Sequence, residues 1–267
     1  MSRINSRKDR IILAELTKTD FKLRYQNSVL GYLWAIIRPM LMFGILYIVF
    51  AKFLRFGDSI PHYPVYLLTG TVLWNFFTEC TSQGMQSLII RSDLMRKISF
   101  PKWIIVVSAT TTALINLTIN LFVIIIFALC SGVTPSLSWL IVPFLIAELY
   151  ILSLGIALLL GSINVKFRDV TSIWEVLTQA LFYAIPIIYP LTLVMNVSPL
   201  YAKIIMLNPI AQIIQDVRYF LITDETILSW QILPCPGKAV PILIVAAIFT
   251  IGVIVFKKKS KYFAEEI

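Results

Sequence analysis

Six apolar runs, separated by short polar segments, dominate the chain: residues 31–52, 64–90, 103–130, 139–164, 173–195 and 240–256. A membrane-crossing helix needs about 20 mostly apolar residues, so these runs predict six transmembrane helices. The fifth is interrupted by Pro186 and Pro190, and the sixth, at 17 residues, sits at the lower limit of length. Residues 1–28 are different in kind. They are polar, carry seven Lys and Arg, and lack the apolar core of a cleavable signal, so the first run is expected to act as the insertion signal. Within them Ile12, Leu16 and Leu23 fall within about 40° of each other on a helical wheel, opposite Arg10, Lys18 and Phe21. That pattern predicts an amphipathic interface helix at the membrane surface; a solvated helix is the alternative. Residues 196–238 carry Pro199, Pro209, Pro234 and Pro236 around an apolar stretch, 201–221, too interrupted to cross. Backbone in hydrocarbon must find hydrogen-bond partners, so re-entrant or interfacial helices are expected there, before the last span. The fold class is an all-α membrane protein.

Composition agrees with that reading. The chain has 267 residues, 58% hydrophobic and 14% charged, against roughly 45–50% and ~25% in soluble domains. The formal charge is +9. The basic residues lie between apolar runs rather than along one polar face, which argues for membrane topology and against nucleic-acid binding. Residues 1–28, 91–102, 166–168 and the tail 257–267 hold 17 of the 23 Lys and Arg, and the alternate connections hold five. Both termini are therefore expected in the cytoplasm. Cys80, Cys130 and Cys235 with a lone His62 give neither a disulfide framework nor a metal spacing. No phosphate-binding G-x-x-x-x-G-K-[ST] loop occurs, nor a clustered catalytic set. No catalytic residue and no cofactor of its own are expected; any ATP used, with its Mg, belongs to another chain.

Several side chains could carry function. Arg38 lies about eight residues into the first run, where a charge is costly. It either snorkels to the headgroups or contacts phosphate oxygens of a substrate, and Pro39 beside it is expected to break the helix. Glu79 and Glu148 sit inside the second and fourth runs, where either could pair with Arg38. Trp34, Tyr47, Trp74, Phe76, Phe77, Phe182 and Tyr183 form a candidate path for a sugar chain. Aromatic faces pack on the C–H faces of sugars without holding them too tightly to move; an interfacial aromatic belt competes with this reading for the residues near span ends. The loop 91–102 sets Arg91, Asp93, Arg96 and Lys97 around Leu94, as a short helix docking into a partner's groove would.

The run Leu30-Gly31-Tyr-Leu-Trp34-Ala-Ile-Ile-Arg38-Pro39-Met-Leu41 resembles the L-G-x-x-W-x-x-x-x-P-x-L opening of the first span in ABC-2 type transporter permeases, nearest the subgroup exporting O-antigen, capsule or teichoic acid. Arg91…Arg96-Lys97…Phe100-Pro101, Lys166-Phe167-Arg168-Asp169, and Leu207-Asn208-Pro209-Ile210 with Arg218 follow in the family's order. The resemblance implies a permease subunit for export of a lipid-linked polysaccharide across the cytoplasmic (inner) membrane. It implies a homodimer of this chain with two copies of a separate ATPase, and contacts with that ATPase through residues 1–28 and a coupling loop, 91–102. Residues 29–256 would be the transmembrane domain, with 196–238 near the outer exit and 257–267 a cytoplasmic tail. The cargo would be a glycan on a polyprenyl pyrophosphate. The alternatives are an exporter of a drug or small lipid, or an ion-coupled secondary transporter, which would call for ionisable pairs near the midplane and often an internal repeat.

Overall fold

The computed structural model describes residues 7–25, 30–56, 60–98, 100–233 and 237–263. Cys235 with its flanking prolines lies outside the described residues, as do the ends of the expected interface segment. Among the described residues the chain is helical, without strands: α1 (Arg7–Tyr25), α2 (Trp34–Tyr47), α3 (Tyr63–Ile90), α4 (Ser92–Lys97), α5 (Trp103–Cys130), α6 (Val142–Asn164), α7 (Val170–Ala184), α8 (Leu191–Val197), α9 (Pro199–Met206), α10 (Pro209–Leu221), α11 (Ser229–Ile232) and α12 (Val240–Lys259). Four stretches are long and apolar enough to cross a membrane: Gly31–Phe53, Trp103–Cys130, Leu137–Asn164 and Val240–Lys259. Two of the six predicted spans fall outside that set. α3 has the length, 28 residues, but is diluted by Thr, Asn, Gln and Glu side chains. α7 has only 15 residues. The predicted span 173–195 is divided, because α7 stops at Ala184 and Ile185 is extended at φ −93°, ψ 144°. Pro186 disfavours helical geometry at the residue before it, and α8 starts just after Pro190. The last helix is longer than the predicted 17 residues. It runs for 20, through Lys257, Lys258 and Lys259, about 30 Å at 1.5 Å per residue.

α3 is the centre of the molecule. It packs along α5 and α6, and α12 packs along the outer side of α6. Its side chains Tyr66, Leu67, Leu68, Leu73, Phe77, Cys80, Met85 and Leu88 are fully buried. Glycines set the closest approaches, as in other helix pairs lacking a water-driven hydrophobic force. A Cβ on Gly252 of α12 would lie 2.3 Å from the carbonyl oxygen of Gly155 on α6, and one on Gly155 would lie 2.7 Å from Cα of Phe249.

Two departures from regular helix leave backbone carbonyls without their usual donors, and side chains from other helices fill both. Pro39 has no N–H, so the carbonyl of Ala35, four residues earlier, loses its intrahelical bond. Asn120 of α5 donates Nδ2–H to that oxygen at 3.1 Å. α2 accordingly runs unbroken through Pro39, contrary to the expected break; the irregularity comes later, as a π-helical turn at Ile48–Phe53. The second departure is the break after α7. Arg218 of α10, fully buried, donates to the carbonyls of Pro186 at 2.7 Å and Ile187 at 2.5 Å, and to that of Tyr66 at 3.1 Å. Tyr63 donates its hydroxyl to the carbonyl of Ile188 at 2.8 Å. The Arg218 guanidinium also lies 3.6 Å from the Tyr66 ring centroid, a cation–π contact, and it needs Gly70, where a Cβ would fall 2.0 Å from Nη2. α10 then fastens the following connection, since Asp216 accepts from Gln212 Nε2 at 2.7 Å and from Ser229 Oγ at 2.8 Å.

Replacing Gly252 by Val is expected to lower stability by about 1–3 kcal/mol, the usual cost of overpacking. Gly44→Ala, where nothing lies within 4 Å of the new Cβ, is expected to be neutral or stabilising. Thermal unfolding of the purified variants checks both.

Candidate functional site

The candidate site is the end of the bundle where α1, the ends of α3 and α5, and α4 come together. α1 lies along α5, and its C-terminal half is tied to both long helices. Arg24 pairs with Glu79 of α3 at 2.5 Å. Glu79 Oε1 also accepts from Asn116 Nδ2 of α5 at 2.8 Å and from Gln83 Nε2 at 3.4 Å. One turn earlier on α1, Asp20 pairs with Arg91 at the end of α3, and Arg91 reaches Ser108 of α5 at 3.5 Å. Glu79 thus meets Arg24, not Arg38, and Glu148 meets no cation among the described residues. Between these ties opens a cleft of about 480 Å³, lined by Arg24, Ser82, Gln83, Gln86, Ser87 and Arg91 among others. Hydroxyls, amides and guanidinium groups share this space with the apolar side chains of Leu23, Ile90 and Ala109.

α4 follows directly. Met95 is buried at 8% exposure in a cluster with Leu88, Ile105, Val165, Phe256 and Phe263. Anchored there, α4 leaves Asp93, Arg96 and Lys97 exposed, with Leu94 half-buried. Of the five loop residues singled out in the sequence, Arg91 is therefore an intramolecular tie, and the other four ride on a seated helix. The tail braces the seat. Phe263 is fully buried and meets Phe256 edge-on at 5.4 Å, while Lys102 donates Nζ–H to the Ser260 carbonyl at 2.7 Å. Sequence reasoning missed Phe263, although the Tyr262-Phe263 pair after the Lys257–Lys261 cluster was a signal. It also missed Arg24 and Asn116, whose partners lie 55 and 37 residues away.

The aromatic candidates divide by exposure. Trp74, Phe76 and Phe77 are buried within the protein at 5%, 3% and 0%. Trp74 lies tilted against Phe77 and Phe182, at 5.4 and 6.0 Å between centroids, and Phe77 meets Trp174 at 6.1 Å. Trp34 and Tyr183 are exposed at 41% and 62%. Tyr47 and Phe182 are half-buried, and Arg38 is exposed without an ion pair among the described residues. The two groups touch through Phe182, which meets Tyr183 at 5.2 Å.

Residues 13–222 match the sequence model of the family described as ABC-2 type transporter. The chain belongs to this family. Full-length relatives of this ABC-2 chain include two proteins named O-antigen export system permease protein RfbA. One, from Klebsiella pneumoniae, is 30% identical over 256 residues, covering 95% of this chain and 94% of the relative. The other, from Myxococcus xanthus, is 28% identical over 262 residues, covering 96% and 95%. The polysialic acid transport protein KpsM of Escherichia coli is 21% identical over 217 residues, 80% of this chain and 83% of KpsM. The chain is an integral membrane protein. Among the described residues no cluster of His, Cys, Asp and Glu is arranged to hold a metal ion.

Loss of the Arg24–Glu79 tie tests how α1 is held. Arg24→Ala and Glu79→Gln are each expected to destabilise, and the double variant to lose less than the sum, with a coupling of about 0.5–3 kcal/mol. A thermal-unfolding double-mutant cycle reads it; strict additivity would mean that the contact carries nothing.

Proposed function

We propose that this chain is the permease subunit of an ABC transporter that exports a lipid-linked cell-surface polysaccharide across the cytoplasmic membrane. The similarity to O-antigen export permeases over about 95% of both chains carries the reading. The proposed topology has six crossings, with α3 and the α7–α8 pair completing the four apolar spans, both termini in the cytoplasm, and α8–α11 re-entrant toward the outside. The 17-to-5 distribution of basic residues supports that orientation.

In this reading a separate ATPase binds and hydrolyses ATP with Mg. Asp93, Leu94, Arg96 and Lys97 on α4 are the docking residues, and movement of α4 reaches the spans through Met95, the Arg91–Asp20 tie and the Arg24–Glu79–Asn116 network. Two copies of the chain pair through the apolar faces left open on α2, the π-helical turn after it and α7, where Leu41, Ile45, Phe53, Ile173, Val176 and Leu177 are 48–76% exposed. The translocation path runs beside those faces. Trp34, Tyr47, Phe182 and Tyr183 provide the contact with sugar rings, and Trp74, Phe76 and Phe77 form the wall behind them. Arg38, exposed on α2, meets the pyrophosphate of the lipid carrier. The O-antigen and polysialic acid relatives favour a capsule or O-antigen class of glycan over teichoic acid.

Charge reversal at Arg96 and Lys97 is expected to abolish ATP-dependent glycan export while the chain still inserts; normal export would remove the docking role. Arg38→Ala is expected to reduce export of a pyrophosphate-linked glycan at least tenfold, with assembly unaffected. Surface glycan on cells carrying the variants, with permease level measured in membranes, checks both.

A further inference from the structure

A second cavity lies next to the Arg24 and Asp20 ties along α1, with a volume of about 550 Å³, formed by α1, α5 and the turn that starts the first span. Its chemistry is segregated. Leu13, Thr17 and Phe21 recur every four residues on α1 and face Ile115 and Thr111 of α5, with Phe21 stacked on Tyr32 at 5.3 Å. The adjacent stripe on α1, also spaced by fours, is Arg10, Ala14, Lys18 and Lys22. Arg10, Lys18 and Lys22 have no carboxylate partner among the described residues, and no acidic side chain lines the cavity. Thus an apolar floor is rimmed on one side by three free cations. A sugar would find donors at the three cations but no carboxylate or amide acceptor, and its ring would face apolar side chains; the Thr17 hydroxyl is already donated to the Leu13 carbonyl at 2.9 Å. An acyl chain beneath an anionic headgroup satisfies both parts.

The level of the cavity along α5 points the same way. α5 has 28 residues, about 42 Å, or some 12 Å longer than the ~30 Å hydrocarbon core. Thr111 and Ile115 lie eight and twelve residues from its Trp103 end, about 12 and 18 Å along the axis. With that end in the cytoplasm, which is the orientation proposed above, the cavity sits where headgroups meet acyl chains of the inner leaflet. Basic side chains at that level attract anionic lipid.

We infer that this cavity is a binding site for an anionic phospholipid of the bilayer, with its phosphate among Arg10, Lys18 and Lys22 and one acyl chain against Leu13, Phe21 and Ile115. It is distinct from the proposed cargo path, which lies along α2 and α7. A lipid seated there wedges α1 against α5 beside its two ion pairs, so the angle of α1 responds to the anionic lipid content of the membrane.

The test uses the purified full chain in detergent, exposed to phosphatidylglycerol or phosphatidylcholine and read by native mass spectrometry. This measures binding whatever the orientation of the chain in a membrane; cysteine accessibility at Lys97→Cys in intact cells reads orientation separately. Phosphatidylglycerol is expected to be retained at least tenfold over phosphatidylcholine. The triple variant Arg10→Gln, Lys18→Gln, Lys22→Gln, changed only at exposed side chains, loses that preference. Thr111→Trp, which fills the cavity without changing charge, loses it as well. Lys257→Gln, Lys258→Gln, Lys259→Gln, an equal change of charge elsewhere, keeps it. A preference that survives the first triple variant, or falls equally in the tail variant, overturns the site. Displacement of phosphatidylglycerol by equimolar farnesyl pyrophosphate, with inorganic pyrophosphate inert, would instead give the cavity to a lipid pyrophosphate and overturn the phospholipid assignment.

Discussion

Backbone carbonyls that lose their helical donors, and must find others where water is absent, govern this structure. Each unsatisfied group in hydrocarbon costs several kcal/mol, so a helix can be interrupted there only where a neighbour supplies the missing hydrogen bond. Asn120 does so for the Ala35 carbonyl that Pro39 frees. Arg218 and Tyr63 do so for Pro186, Ile187 and Ile188, in the gap between α7 and α8. The donors come from α5, α10 and α3, so each repair also ties a helix to a distant segment of the chain. Pro186 divides the fifth run, and one guanidinium both repairs the break and ties α10 to α3 through the Tyr66 carbonyl.

The same economy explains how the end bearing α4 is connected to the rest. α4 is only six residues long and would not hold its shape alone; it is shaped by Met95 in a cluster that includes the tail residue Phe263. α1, largely exposed, is held by two ion pairs and a stack rather than by a deep core. Sites held by a few polar contacts can shift between discrete arrangements more readily than packed interiors. The contrast between a rigid α3–α5–α6 body and a lightly tethered α1 is what a device driven from one end requires.

Much of this was legible in the sequence. Apolar runs, basic flanks and prolines gave four spans and the break in the fifth run, because hydropathy and missing donors act locally. The polar content of α3 was visible as well, but its meaning was not: Glu79 reads as a lone acid until Arg24 is folded against it from 55 residues away. The aromatics show a second limit. Trp74 and Tyr183 belong to similar apolar runs, yet one is 5% and the other 62% exposed, since helical periodicity fixes which positions share a face and not which face finds a partner. Arg218 was noted only as part of a motif, and its role needs the three carbonyls from two distant segments that converge on it.

The most direct measurement is the unfolding stability of an Arg218→Met variant in lipid nanodiscs, an apolar replacement of similar reach. Leaving the Pro186 and Ile187 carbonyls without donors is expected to cost at least about 2 kcal/mol, at 1–3 kcal/mol for each buried unsatisfied group. A variant within about 0.5 kcal/mol of the parent chain, the range typical of uninvolved surface positions, would contradict the account.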